Sequence, residues 1–183
     1  MRKNRWIFAI VVAASFGWAA CDEDDNPLDR PNLNETDETF VETAATNNMA
    51  EIKFGELAAT KANDSTVRVF ARQMVNEHKT AQDELKDIAD DFRGVEWPDG
   101  VTKAHDDLLA QLDDADGYTF DTLYMRTQVM MHEDAVAAFR TATTNTTEVR
   151  VKSYATKYLP KIEMHLEKAD SIHAVIMADD GTN

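Results

Sequence analysis

Four long stretches of this chain share one pattern: apolar side chains at three- and four-residue steps, with charged residues between them. That spacing puts the apolar positions on one face of a helix. The first stretch runs from 37 to 62, with a stripe of Val41, Ala44, Asn48, Glu51/Ile52, Gly55, Ala58/Ala59 and Ala62. Gly55 and the alanines allow another helix to approach closely. Asp37 and Glu38 suit the positive end of the helix dipole. Asn63-Asp64-Ser65 breaks this helix and supplies a cap for the next. The second stretch runs from there to Phe92, through Val67, Phe70/Ala71, Met74, His78, Ala81, Leu85 and Ile88.

Gly94 to Gly100, with Trp97-Pro98, ends the second helix and starts a crossover. Leu108, Leu109 and Leu112 predict a short helix over 102–112, and Gly117 separates it from the third long helix. That helix spans 119–143, with Phe120, Leu123, Tyr124, Met125, Val129, His132, Val136 and Phe139. Thr144 to Thr147 breaks it, and Asn145 with Glu148 resembles a capping box. The fourth long helix spans 147–177, with Val151, Tyr154/Ala155, Tyr158, Ile162, His165, Ala169, Ile172 and Ile176. Pro160 inside it predicts a kink. There is no strand pattern and no long internal repeat. Four amphipathic helices of similar length, with two short connections and one long one, predict an all-α four-helix bundle. A short extra helix sits in the crossover. The N-x-S/T triplets at Asn34, Asn63 and Asn145 read as cap and turn chemistry, not as glycan sites.

The N-terminus reads as an address. Residues 1–21 carry Arg2, Lys3 and Arg5, then an apolar run from Trp6 to Trp18, then Ala19-Ala20-Cys21. This is the layout of a secretory signal, and it resembles a lipoprotein signal in which Cys21 is lipidated and becomes the mature N-terminus. Trp18 departs from the usual aliphatic residue of that box. An ordinary signal cleaved near Cys21 and an uncleaved anchor are the alternatives, and the apolar run is short for a span. The lone cysteine excludes an intramolecular disulfide. The acidic, proline-punctuated stretch 22–35 reads as a disordered tether, 36–178 as the bundle, and 179–183 as a frayed tail.

Charge narrows the partners. The 183 residues hold 34 Asp+Glu against 19 Lys+Arg, a formal charge of −15, and loss of the signal would remove three of the basic residues. Nucleic acid, whose backbone demands basic clusters, is not expected. The expected attachment is to a membrane through the N-terminal lipid. Protein partner and oligomeric state stay open.

Candidate chemistry sits at the middle of the helices. Glu51, His78, His132 and His165 each lie on or beside an apolar stripe, within a few residues of a helix midpoint. At about 1.5 Å rise per residue, that puts all four within about 5 Å of one layer. Imidazoles and a carboxylate converging in a bundle core suit Fe, Zn, Mn or Cu. The competing account is a neutral hydrogen-bonded core network. Geometry separates the two: ring nitrogens that cannot come within about 5 Å of one another cannot share a metal with bonds near 2.1 Å.

A di-iron carboxylate centre needs Glu-x-x-His on two helices, but Val75 and Ile162 stand three residues before His78 and His165. Glu77, Glu133 and Glu163 adjoin the histidines and point elsewhere, as flanking or outer carboxylates. The tyrosines Tyr124, Tyr154 and Tyr158 line the core or bond the histidines. His105 and His173 fall outside the layer and read as surface groups. No nucleophile elbow, phosphate loop, cysteine zinc motif or HExxH motif occurs. If the chain is an enzyme, it is a metal-dependent oxidoreductase.

Several segments also match a known family in order and spacing. They are Met49-Ala50-Glu51-Ile52 with Leu57-Ala58, Phe70-Ala71-Arg72-Gln73-Met74 leading to Glu77-His78, and Gly117 with Phe120-Asp121-x-x-Tyr124. They continue with His132-Glu133 and Leu159-Pro160 followed by His165. Together these segments resemble domain of unknown function 4142, a family of exported or outer-membrane bacterial proteins. The resemblance implies a ferritin-like helical bundle and carries over Glu51, His78, His132 and His165 as motif positions. It implies no reaction. Glu77 stands where the family more often has Asp, which keeps the charge.

Overall fold

The computed structural model describes residues 30–179. The signal segment with Cys21, residues 22–29 of the tether and residues 180–183 of the tail lie outside them. Five helices follow one another: α1 (Glu35–Lys61), α2 (Ser65–Ala89), α3 (Lys103–Asp114), α4 (Gly117–Asn145) and α5 (Val149–Asp179). The all-α, ferritin-like bundle with a short crossover helix is therefore the observed fold.

Helix ends follow local chemistry. The Asn34 side chain accepts from the Asp37 amide and starts α1 two residues before the sequence expectation. Asp64 caps α2 by accepting from the amides of Thr66 and Val67, and Thr102 caps α3 through the His105 amide. α2 ends at Ala89 rather than Phe92, and Gly94 at φ 81° takes the left-handed conformation that turns the chain. α5 runs through Pro160 as one helix.

α1 pairs with α2 and α4 with α5, and the two hairpins pack against each other. Each neighbour is antiparallel, because the crossover carries the chain back along the bundle before α4 begins. α3 lies against α1 and α4. The core falls into two apolar halves. One holds Val41, Leu85, Phe139, Val151, Tyr154 and Tyr158. The other holds Phe54, Phe70, Met74, Leu112, Phe120 and Tyr124. Between them lie Asn48, Glu51, His78, Gln128, His132 and His165.

Two sequence expectations are corrected. The tether does not extend to residue 35. Leu33 is buried in the first apolar half, the Arg93 amide donates to the Pro31 carbonyl at 2.9 Å, and Asn32 and Arg93 form a bridge. The Arg30 guanidinium also donates to the Asp90 carbonyl oxygen, and Asn34 Nδ2 donates to Thr147 Oγ1; contacts of this kind, around one buried apolar side chain, leave no period in the sequence.

The absence of a long repeat is also corrected. Asp37 in α1 reaches the α4–α5 turn and accepts from the amides of Thr147 (3.1 Å) and Glu148 (2.8 Å). Asp121 in α4 reaches the α1–α2 turn and accepts from the amides of Asn63 (2.9 Å) and Asp64 (2.7 Å). The sequence offset from Asp37 to Asp121 also takes Ala58 to Ala142, Val67 to Val151, Phe70 to Tyr154 and Ala71 to Ala155, all buried. The hairpins repeat in their packing positions, while few identities survive for sequence comparison to find.

At Gly55, α1 comes close to α2. A Cβ there would lie 2.7 Å from Val75 Cγ2 and 3.0 Å from the Ala71 carbonyl oxygen. The valine methyl can move, but the backbone oxygen cannot. Gly55→Ala gains about 1 kcal/mol of helix propensity against about 1–3 kcal/mol of overpacking. A net loss of stability is therefore expected in urea denaturation. An unchanged or raised midpoint would show that the helices part freely.

Candidate metal centre

The polar layer is built from all four long helices. α2 supplies His78, α4 supplies His132 and α5 supplies His165. Their ring centroids are 5.8 Å (His78–His132), 5.8 Å (His78–His165) and 5.4 Å (His132–His165) apart. One ring nitrogen from each lies within 4.8 Å of those of the other two. The convergence expected from the stripes is present for these three.

Each ring is held by an acceptor on one nitrogen. His78 Nδ1 is 2.8 Å from Asn48 Oδ1, His132 Nδ1 is 2.9 Å from the Gln128 carbonyl oxygen, and His165 Nε2 is 2.9 Å from Glu77 Oε2. An oxygen that only accepts requires the proton on that nitrogen. The opposite nitrogens, His78 Nε2, His132 Nε2 and His165 Nδ1, are then bare lone pairs, and all three are buried without a protein partner. Metal-ligating histidines are held in this way, with one nitrogen tied to an oxygen and the other free for the ion.

The competing hydrogen-bond network has to bring a donor to each of these three lone pairs. A buried acceptor without a donor costs about 1–3 kcal/mol. A water has two hydrogens, so three such lone pairs need more than one water, for which the adjoining cavities have room. A cation satisfies all three. In a shell with bonds of about 2.0–2.1 Å, the nitrogens would sit closer together than their present limit of 4.8 Å.

Glu51 takes a different place from the trio. Its Oε2 accepts from Gln128 Nε2 at 2.7 Å, and its Oε1 lies 3.6 Å from His132 Nδ1, the nitrogen that faces away from the free lone pair. The carboxylate stands behind His132, in line with an outer role, and it is not among the converging groups. Burial raises its pKa, against the opposing pull of His132 and the Gln128 amide.

The flanking acids separate clearly. Glu77 bonds His165 and accepts from Gln73 Nε2 at 2.8 Å. Burial would raise the Glu77 pKa, but the bonds from Gln73 and His165, with Lys161 nearby, hold it below the usual value. Glu163 pairs with Arg140 at 2.6 Å on the surface, and Glu133 is exposed.

Asn48 and Gln128 were not picked out as partners from sequence. Gln128 lies four residues before His132, so helical spacing could have flagged it. Asn48 also donates to Tyr154 Oη at 3.2 Å, which links His78 to the tyrosines. His105 is not a free surface group: its Nδ1 is buried without a partner, and its ring meets Phe54 edge-on at 6.2 Å.

Burial lowers the pKa of His78 well below the ordinary value of 6.5, and the neighbouring His132 and His165 reinforce this. Burial and His132 lower His165 as well, against the pull of Glu77. Neutral imidazole is the ligand form. Linkage fixes the sign. A histidine with a depressed folded pKa binds fewer protons folded than unfolded, so stability falls as pH drops below 6.5. Glu51, whose pKa is raised, works in the opposite direction as pH falls toward its ordinary value of 4.5. The metal-free protein is therefore expected to lose stability between pH 7.5 and 5.5 in urea titrations, and His78→Leu should flatten that slope. Equal slopes in both proteins would refute this role for His78.

Comparison with solved structures agrees on the fold. CopM in its Cu(II)-bound form matches with a TM-score of 0.65 at 20% identity, over 75% of this chain and 95% of that one. A DUF305 protein from Streptomyces coelicolor matches with a TM-score of 0.65 at 14% identity, over 77% of this chain and 92% of that one. At such identities the likeness is one of fold. No curated protein sequence matches. The family described as domain of unknown function, DUF4142, matches residues 23–172, through both hairpins and all three histidines, and the chain belongs to that family.

Proposed function

We propose that this protein binds one transition-metal ion through His78, His132 and His165, and that it does so in the bacterial cell envelope. Two observations carry this reading: the three rings converge, with one nitrogen of each within 4.8 Å of the others, and each ring has one nitrogen buried without a protein partner and the other fixed by an oxygen. Imidazole donors suit Cu, Zn, Fe and Ni, and among divalent ions copper binds such donors most tightly. The Cu(II)-bound state of the structurally similar CopM makes copper the first ion to test. Binding, buffering or delivery of the ion needs no further group. The signal-like segment at 1–21 supports a place outside the cytoplasm, and in this reading Cys21 is the lipidated anchor. No helix among the described residues is long and apolar enough to cross a membrane, so the anchor would hold the bundle to the surface.

The test is elemental analysis and calorimetric titration of protein purified without a polyhistidine tag. One equivalent of Cu(II) is expected in the wild type, with His132→Ala and His165→Ala each losing at least tenfold in affinity. Metal-free protein that ignores Cu(II), Zn(II) and Fe(II) would favour the alternative, an interaction protein whose histidines only hydrogen-bond. For the anchor, Cys21→Ser should move the protein from the membrane to the soluble fraction. Unchanged fractionation would exclude lipidation.

A further inference from the structure

The three-histidine cluster has a cavity on either side of it, and the two differ in size and charge. One, of about 90 Å³, lies among α1, α3 and α4 and is lined by Asn47, Glu51, His105 and Asp134 as well as by His78 and His132. The other, of about 20 Å³, lies among α2, α4, α5 and the middle of α1 and is lined by Glu77, Tyr154, Tyr158 and Lys161 with His78 and His165. A water needs roughly 10–15 Å³ on this measure. The smaller cavity therefore holds about one water, and the larger holds several, as a partly hydrated cation requires. Two carboxylates and no lysine or arginine line the larger cavity, whereas Lys161 lines the smaller.

His105 belongs to this wall. α3 is tied to α1 by the Lys53–Asp106 pair and by the contact of Lys61 with Asp113. That brings the His105 ring against Phe54, with Nδ1 buried and unpartnered. Burial lowers the pKa of this imidazole, against the pull of Asp106, and so favours the neutral form that binds metal.

We propose that the larger cavity is the entry vestibule of the metal centre and that His105 is its entry ligand. A hydrated divalent cation binds first at His105, beside Asp134 and Glu51, and then passes to His78, His132 and His165. This inference rests on the metal-binding reading and adds a route to it. No bond other than metal–ligand bonds forms or breaks. His105 exchanges for a trio nitrogen, and the waters return to solvent. Because His105 holds the ion on the way in and on the way out, its loss slows both directions and leaves the equilibrium affinity in place.

The experiment is stopped-flow mixing of the full chain with Cu(II), together with equilibrium titration. His105→Ala is expected to lower the association rate about tenfold while the dissociation constant changes less than about twofold. Asp134 is exposed, so Asp134→Lys should fold normally and slow association several-fold, more at low salt, as removal of steering charge does. Lys161→Glu, on the opposite wall, should leave the rate unchanged. Wild-type rates in both His105→Ala and Asp134→Lys, or faster association in Lys161→Glu, would overturn the route. A loss of affinity in His105→Ala that matches its loss of rate would place His105 in the final shell and overturn its entry role. If wild-type protein takes up no metal, both the centre and its route fail. If it does, these outcomes judge the route alone. Should His105→Ala be unfolded by circular dichroism, the two charge variants decide.

Discussion

Saturating Cu(II) is expected to raise the midpoint of thermal unfolding by about 8–16 °C. An ion held only by the folded state stabilises it by RT ln(1 + [L]/Kd), or about 4 kcal/mol at a thousandfold excess over Kd. In a domain of this size, 1 kcal/mol moves the midpoint by about 2–4 °C. The ligands come from α2, α4 and α5, so the ion joins helices of both hairpins. Unfolding must release it before those helices can separate. The shift should vanish in His132→Ala and His165→Ala, and a chelator should reverse it. An equal shift in those variants would mean that copper binds elsewhere, such as at surface carboxylates. His173→Ala is the natural control, because that residue lies outside the trio and should keep the full effect.

Asp37→Ala should be the most destabilising single change outside the metal layer, by about 3 kcal/mol or more. Asp37 is fully buried. Its carboxylate accepts from the amides of Thr147 and Glu148, from Thr147 Oγ1 at 3.3 Å and from Asn34 Nδ2 at 2.7 Å. Hydrogen bonds to a charged group contribute about 1.5–3 kcal/mol each, and donors left buried without an acceptor cost more than the mean bond is worth. Alanine removes every acceptor at once. The expected fall in midpoint is about 6–12 °C. Asp37→Asn should recover part of it, since the amide oxygen accepts from one donor while the NH₂ group opposes another. A loss under 1 kcal/mol in Asp37→Ala, measured by urea denaturation, would show that water replaces the carboxylate and that the turn does not depend on it.

The four long helices and the three histidines were legible in the sequence because both follow from period. A stripe fixes which face a residue occupies, and the distance to the helix midpoint fixes its level. His78, His132 and His165 met both conditions and converge. Glu51 met both as well, yet it faces Gln128, since a face spans about a third of the helix and does not choose between neighbouring helices. The oxygens behind the rings were harder to see. Asn48, the Gln128 carbonyl and Glu77 are partners by tertiary contact, and nothing local distinguishes them from other polar residues. His105 was misplaced for a related reason: α3 is short, and its docking depends on pairs with α1, not on its own stripe. The docked stretch around Leu33 gave no periodic signal at all.

The correspondence between the hairpins has a consequence for how such a centre can arise. Two copies of either hairpin, related by a two-fold axis, would reproduce the reciprocal carboxylate contacts and most of the buried apolar positions. They would not reproduce the histidine layer. The offset that matches Val67 to Val151 sets Asn48 opposite His132, His78 opposite Ile162 and Ala81 opposite His165. A symmetric dimer of the first hairpin would hold a pair of His78 rings, and a dimer of the second would hold paired His132 and His165. An odd number of imidazoles at one level is open only to a pair of hairpins that have diverged, so the three-histidine layer depends on the difference between the two halves and not on what they share.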